Sequence, residues 1–210
     1  MPEPSSARPV RSDARRNREK LVAVARAAFA AADGTDSTVA LEAIAREAGV
    51  GIGTLYRHFP AREDLVEAVY AAELDDVTAS APALLAQFPP EVALRAWMDR
   101  YGMFVATKRG MADAFRASLA SGRITTAVTR RRITAAIGAI LDAGARAGTL
   151  RADADPEDVT TMLLGVFLAT SAGHSPERIG RLLDLVAAAL RPDPGRGAES
   201  NPGAGGLQVP

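Results

Sequence analysis

The chain has 210 residues, 48% of them hydrophobic, few aromatics and a formal net charge of zero. That length suffices for one large or two small cores. The lack of cysteine excludes disulfides, thiol catalysis and cysteine-ligated zinc, and two histidines far apart in sequence argue against a metal site. Alanine dominates the apolar residues and no long stretch alternates with period two, so the composition predicts an all-α protein.

Composition also limits where the protein can act and which kinds of active site it can have. The sequence opens without an apolar leader, and its longest apolar run, 162–169, is too short to span a bilayer. We therefore expect a soluble, cytoplasmic protein without membrane contact. The sequence shows neither a nucleophile–base pair nor a metal cluster, so we expect no enzyme activity, no metal and no cofactor.

The charge is distributed unevenly along the chain. Residues 1–11 are rich in Pro, Ser and Arg and are predicted to be disordered. Between Arg8 and Lys20 there are six basic residues and two acidic ones. Such a positive arm suits attraction to phosphate, although a solvated tail explains the composition of residues 1–10 equally well.

A first helix is predicted from Ser12 or Asp13 to about Ala32, where Asp33 and Gly34 end it. The next segment, 38–59, has the sequence TVALEAIAREAGVGIGTLYRHF and predicts two short helices around a glycine turn. Thr38 is a suitable N-cap, and Gly49 suits the left-handed conformation at a helix end. The inward positions of the two helices are Leu41, Ile44, Ala45, Ala48, Leu55 and Phe59.

The other face of the second short helix is small and polar. It has Gly53, Thr54, Tyr56, Arg57 and His58, which together suit close approach to a phosphate backbone and groove. Periodicity alone fits equally well a surface helix of a small bundle.

A family resemblance favours DNA binding. REKLVAVARAAFAAADG from Arg18, followed by IAREAGVGIGTLYRHFPAREDLVEAV, is similar to the DNA-binding domain of the TetR/AcrR family over about 55 residues. The specific part is TLYRHF followed by an F-x-x-[KR]-E-x-L element. The resemblance implies that Tyr56, Arg62 and Thr38 grip phosphates and that Gly53 and Thr54 approach the base edges.

We expect Arg57 and the N-terminal arginines to add affinity, and DNA shape to matter because the recognition helix has few long polar side chains. The candidate DNA-binding residues are Arg18, Thr38, Gly51, Gly53, Thr54, Tyr56, Arg57, His58 and Arg62.

A fourth helix is predicted from about Ala61 into the 80s, linking the head to a helical body near residue 75. Five further helices are predicted at about 90–107, 111–120, 124–147, 156–170 and 176–190. The expected fold is therefore all-α with about nine helices. The predicted divisions are a disordered basic arm at 1–11, a helix-turn-helix domain at 12–75, an effector-binding and dimerisation domain at 76–191 and a disordered Gly/Pro-rich tail at 192–210.

Aromatic and methionine side chains recur through the body helices. For any one of them a place in the helical core is the preferred interpretation, and the family resemblance raises the alternative that they line an apolar effector cavity. The candidate pocket residues are Trp97, Met98, Tyr101, Phe104, Met111, Phe115, Met162 and Phe167. Four charged residues flank them and could meet the charge of a ligand, but they are interpreted as solvated in preference: Arg95, Asp99, Lys108 and Arg116. The segment ALRAWMDRYGMFVATKRGMADAF resembles C-terminal domains of an actinobacterial subgroup of the family.

The run Arg130-Arg131-Arg132 is interpreted as a solvated helix face in preference to a second nucleic-acid patch. The last two helices have wide apolar faces, which would leave an exposed patch on a monomer. Pairing them with a second copy gives a two-fold four-helix bundle, as the resemblance implies. The candidate dimer residues are Val166, Ile179, Leu182, Leu183 and Val186.

The sequence thus predicts a homodimeric, ligand-responsive transcriptional repressor. Its partners would be double-stranded DNA with a palindromic operator and a small apolar or amphipathic effector. The alternative is a helical protein-interaction adaptor without specific DNA binding, which uses the last two helices.

Overall fold

The computed structural model describes residues 7–32, 39–170 and 175–192, and only the backbone of residues 7–11. Within these ranges the chain forms nine α-helices and no strand, as the composition predicts. The helices are α1 Ala7–Ala31, α2 Leu41–Glu47, α3 Ile52–His58, α4 Arg62–Leu85, α5 Pro90–Arg109, α6 Ala112–Ala120, α7 Thr126–Ala147, α8 Pro156–Ala169 and α9 Pro176–Ala189. The predicted stop at Asp33-Gly34, Thr38 and the tail from residue 193 lie outside the described residues.

Helices α1, α2 and α3 form a small head around a core that also includes the start of α4. Its most deeply buried side chains are Leu21, Ala25, Phe29, Ile44, Leu55, Phe59 and Leu65. These residues recur at helical spacing in the sequence, so burying one stripe of each helix is enough to assemble the head.

Two helix starts differ from their predictions. Helix α1 begins at Ala7, earlier than the start near Ser12 or Asp13 that the sequence predicts. Pro9 lies in the first turn, where its missing N–H has no helical partner to lose, and the surrounding Ala and Arg favour a helix. Helix α2 begins at Leu41, and its N-cap is Ala40 with extended backbone and no side-chain cap.

Helix α4 continues from the head into the body without a break at residue 75. At its start, the Ala61 N–H donates to Asp64 Oδ2 at 2.8 Å. Further along, the Val77 carbonyl accepts a hydrogen bond from the buried Trp97 indole at 3.0 Å. This one helix therefore connects the head core to the body core.

The body is a bundle in which α5 and α7 pack on α4, α8 packs on α7, and α9 packs on α5 and α8. The predicted start signals of the last helices are confirmed: Asp155 caps α8 by accepting from the Glu157 and Asp158 N–H groups, and Ser175 caps α9. No helix of the described residues is long and apolar enough to cross a membrane.

Candidate DNA-binding surface and ligand cavity

The turn between α2 and α3 fixes how α3 is presented. Gly49 has φ of 71°, the left-handed conformation predicted for it, and the Val50 N–H donates to the Ala45 carbonyl at 3.0 Å. The turn packs α3 against the head through Leu55 and Phe59, which are 0% and 1% exposed. The opposite side of α3 is thereby directed away from the core.

This outer face is the candidate DNA-binding surface. Tyr56 is 46% exposed and Arg57 is exposed, while Thr54 and His58 are half-buried. The segment 51–59 contains no Asp or Glu. A phosphate approaching this helix would therefore meet hydroxyls, an imidazole and a guanidinium, with no carboxylate of α3 to repel it.

Two glycines leave open space on this surface. A Cβ added to Gly51 or Gly53 would meet no protein atom within 4 Å. Neither glycine has a positive φ, so backbone conformation does not require it. Packing and conformation within the monomer thus leave both positions unexplained, and a close external approach supplies a reason for their small size.

Arg62 has a structural partner that the sequence does not suggest. Its Nη1 donates to the Val39 carbonyl at 2.7 Å, and its Cζ lies 5.7 Å from the centroid of the Phe29 ring. The half-buried guanidinium therefore ties the segment before α2 to α1 and α4. Any contact with phosphate would use its remaining N–H groups.

Arg18 lies on the exposed side of α1, next to the end of α3. Its Cζ is 5.1 Å from the centroid of the Phe59 ring. This position adds a cation beside the surface formed by α3. Thr38, the third residue that the resemblance assigns to phosphate, lies outside the described residues.

The body contains a cavity of about 480 Å³ between α4, α5, α6, α7 and α8. Its lining residues are Tyr70, Tyr101, Lys108, Phe115, Thr126, Ala127, Thr129, Arg130, Ile133, Thr160 and Leu164. None of them is acidic. Aromatic and aliphatic walls with a few hydroxyls and two cations are typical of a small-molecule site.

Lys108 is the least expected group in this cavity. Its Nζ lies 4.4 Å from the ring centroid of Phe104, 5.8 Å from that of Tyr70 and 5.9 Å from that of Phe115. Burial lowers the pKa of Lys108 to about 8, because desolvation disfavours the charged form. The sequence interpretation of Lys108 as a solvated residue is therefore wrong.

The two lining tyrosines remain neutral near pH 7. Burial raises the pKa of Tyr101 to about 12 and also raises the pKa of Tyr70. The Tyr70 hydroxyl is 2.5 Å from Thr129 Oγ1, which joins α4 to α7 across the cavity wall. The Tyr101 ring packs on Trp97 and meets Phe167 edge-on, with centroids 5.5 Å and 5.4 Å apart.

The predicted pocket cluster divides into three groups. Tyr101 and Phe115 line the cavity. The side chains of Trp97, Met98, Phe104 and Met111 are buried in the core, and Phe167 packs against Tyr101. Met162 is 44% exposed, so its assignment to the pocket is wrong; its side of α8 faces away from the bundle.

The signal for Lys108 was present in the sequence. It follows Tyr101 and Phe104 at spacings of seven and four residues, and so continues the inward stripe of α5. Two other flanking charges form ion pairs with carboxylates outside the cavity. Arg95 Nε lies 2.6 Å from Asp184 Oδ1, and Arg116 pairs with Asp113.

Two of the three arginines in the run on α7 are paired within the chain, and Arg131 is exposed. Arg130 pairs with Glu157 and donates to Thr161 Oγ1, at the rim of the cavity. Arg132 pairs with Asp75 on α4 at 2.7 Å. These carboxylates offset the charge, which agrees with a helix face that is not a second nucleic-acid patch.

The apolar side chains that α8 and α9 expose are not the ones predicted for the dimer interface. Leu183 and Val186 are 1% and 9% exposed, so they belong to the core of the monomer and their assignment to the interface is wrong. Val166, Ile179 and Leu182 are half-buried. The apolar side chains that α8 and α9 expose are Met162, Leu168 and Leu185, at 44%, 62% and 66%.

Both halves of the chain match known families. Residues 21–69 match the family described as "Bacterial regulatory proteins, tetR family", and residues 89–192 match "Transcriptional regulator SbtR-like, C-terminal domain". Among curated proteins, an HTH-type transcriptional regulator of Staphylococcus aureus is 38% identical over 66 residues. That match spans 31% of this chain and 35% of the Staphylococcus protein.

Two solved structures resemble the whole fold. The TetR transcriptional regulator SCO0520 from Streptomyces coelicolor is 46% identical with a TM-score of 0.74, covering 83% of this chain and 98% of its own. A TetR transcription regulatory protein from Mycobacterium vanbaalenii is 34% identical with a TM-score of 0.66, covering 87% and 99%. This chain therefore belongs to the TetR family of DNA-binding transcriptional regulators.

Proposed function

We propose that the protein is a homodimeric repressor that binds a palindromic operator through α3 and releases it when a small amphipathic molecule enters the body cavity. The outer face of α3 is the observation on which the proposal depends, because it is exposed, glycine-containing and free of carboxylates. Since the operator lies in the genome, we expect the protein to act in the cytoplasm.

The proposed DNA contacts follow from exposure and charge. Tyr56 and Arg57 are exposed on α3 and would bind phosphates, with Arg18 and the remaining N–H groups of Arg62 at the edges. Gly53 and Thr54 would approach the base edges. Direct base readout would then be sparse, and the shape of the DNA would contribute to specificity.

The proposed dimer interface is the apolar face of α8 and α9. Met162, Leu168 and Leu185 together expose an apolar surface that a second copy would cover. A two-fold pairing of these helices gives a four-helix bundle. It would also present two α3 helices to successive major grooves, about 34–36 Å apart on one side of the DNA.

The cavity and the head are joined by the end of α5. Lys108 lines the cavity, and two residues later Gly110 lies so close to α1 that a Cβ there would be 1.9 Å from the Phe29 carbonyl oxygen. A ligand that moves this end of α5 would move α1 with it. DNA affinity would then fall by the difference in ligand affinity between the two arrangements.

Fluorescence anisotropy with the DNA upstream of the protein's own gene tests the proposal. We expect binding that weakens steeply with salt, and an Arg57→Ala variant that lowers the salt slope by about 1 for each recognition helix. Arg131→Ala, which removes an exposed cation from the body, is the matched control and should bind as the native protein does. An adaptor without specific DNA binding would show no salt-dependent binding with either protein.

A further inference from the structure

The ammonium group of Lys108 has aromatic rings as neighbours, and no carboxylate in the described part of the chain pairs with it. Three aromatic rings lie within 6 Å of its Nζ. Among the described residues it forms no ion pair, and desolvation is the one cause that lowers its pKa. Ring quadrupoles attract a cation but replace only part of the hydration that burial removes.

The rest of the cavity does not supply the missing negative charge. None of the lining residues is acidic, and the second cation, Arg130, is paired with Glu157 and hydrogen-bonded to Thr161. Arg130 is therefore compensated, whereas Lys108 is not. A half-buried cation without a counter-charge is costly, and an anionic group placed beside it would lower that cost.

We propose that the effector is an amphipathic organic acid, whose anionic group pairs with Lys108 while its apolar body fills the space between Tyr101, Phe115, Ile133 and Leu164. The regulatory role of this ligand rests on the proposed function, whereas its chemical class rests on the cavity lining alone.

Other ligand classes fit the cavity less well. A cationic ligand would place like charges together in a desolvated space. A neutral ligand would remove the remaining water from Lys108 without giving it a partner. An acid does neither, and it allows a charge-assisted hydrogen bond from the ammonium group.

The experiment compares ligands that share an apolar body and differ in their head group and its charge. The fluorescent anion anilinonaphthalene sulfonate and its uncharged analogue N-phenylnaphthylamine are titrated into the full-length protein. Decanoate, decanol and decylamine then compete for the bound probe, and an aromatic acid, naphthoate, separates a fatty-acid preference from an aryl-acid one. We expect decanoate to compete at a concentration lower by about tenfold or more than decanol, which corresponds to one charge-assisted contact.

Two variants assign that preference to one residue. Lys108→Met removes the ammonium group but keeps an apolar chain of similar length, and should abolish the preference for acids. Arg131→Met removes an exposed cation from the neighbouring helix α7 and should retain it. A thermal melt of each variant verifies that it is folded.

The pH dependence of acid binding gives a second readout on the native protein. The titratable groups that face Lys108 are Tyr70 on α4, Tyr101 on α5 and Arg130 on α7. Glu157 of α8 lies behind Arg130 and pairs with it. No titratable residue of α6 is among the residues that line the cavity. The pKa values of both tyrosines are raised and that of Glu157 is lowered, so the two tyrosines stay neutral and Glu157 stays charged from about pH 6 to 9.

Lys108 is then the group that titrates in this interval. It is protonated below about pH 8 and loses its proton above it. A bound anion raises its pKa, so acid affinity should be highest below pH 8 and fall by about tenfold between about pH 7 and pH 9.5, while the affinity of neutral probes stays constant.

Equal competition by decanoate and decanol in the native protein would overturn the inference. So would an acid preference that survives Lys108→Met. The DNA arm distinguishes this result from a failure of the proposed function: if acids bind through Lys108 but leave operator binding unchanged, the ligand class stands and the regulatory switch is wrong.

Discussion

At the scale of single residues, Gly53 separates the needs of the fold from those of DNA binding. A Cβ at Gly53 would meet no protein atom within 4 Å, and the backbone there is helical. Gly53→Ala should therefore leave the free energy of unfolding unchanged or raise it by up to about 1 kcal/mol. The added methyl would occupy the space of a base edge, so operator affinity should fall roughly tenfold, within the range of one lost base contact. Chemical denaturation and anisotropy measure the two effects.

Gly49→Ala is the contrasting control. Its Cβ would also meet nothing within 4 Å, but its φ of 71° strains any other residue by about 1–2 kcal/mol. Gly49→Ala should lower the free energy of unfolding, while the operator affinity of the folded protein stays close to native. If Gly53→Ala bound the operator as tightly as the native protein, the close approach of α3 to the bases would be wrong.

Arg62 and Arg57 also separate an effect on stability from an effect on DNA binding. Arg62→Ala removes the hydrogen bond to the Val39 carbonyl and the contact with Phe29, and should reduce the free energy of unfolding by about 1–2 kcal/mol. Arg57→Ala removes an exposed cation and should change stability little but weaken DNA binding. Equal thermal midpoints for the two variants would contradict the anchoring role of Arg62.

Patterning of the sequence identified the face of α3 but not these partners. Gly49, Leu55 and Phe59 follow from helix geometry, since their roles depend on neighbours a few residues away. The bond from Arg62 to Val39 and the desolvation of Lys108 depend on how separate helices pack, which local spacing does not determine.

At the scale of elements, the helix boundaries were predictable where a start signal is present. The prolines after Asp155 and Ser175 open α8 and α9 as expected. The start of α1 lacked such a signal, because a helix can continue through Pro9 in its first turn. Starts of α6 and α7 shift by one or two residues, at Ala112 and Thr126, as is usual for helix ends.

The contact between α5 and α1 leads to a prediction for coupling between body and head. A Cβ at Gly110 would be 1.9 Å from the Phe29 carbonyl oxygen, so Gly110→Ala must push α1 and α5 apart. We expect a loss of about 1–3 kcal/mol of stability and weaker operator binding, although Gly110 is in the body. Gly180→Ala, whose Cβ would have an ordinary 3.7 Å contact with Arg95, is the matched control. Unchanged DNA affinity of folded Gly110→Ala would exclude this route of coupling.

At the scale of the whole molecule, the packing of each helix decides which of its apolar side chains stay exposed for contact with a second copy. Helix α9 has apolar residues on more than half of its circumference, and spacing alone could not divide them between core and interface. Packing on α5 and α8 buries Leu183 and Val186 and leaves Leu185 exposed. The sequence therefore predicted an apolar patch on these helices but assigned part of it to the wrong side chains.

This division makes the dimer testable without unfolding the monomer. Leu168 and Leu185 are 62% and 66% exposed, so replacing both with Asp should cost the isolated chain little but place four charges in a two-fold apolar interface. Light scattering should then give a monomer, and operator affinity should collapse because one recognition helix cannot reach both half-sites. Val128→Asp, at a 42% exposed apolar position on α7, should remain dimeric. If the doubly substituted protein stayed a dimer and bound its operator, the α8–α9 face would not be the interface.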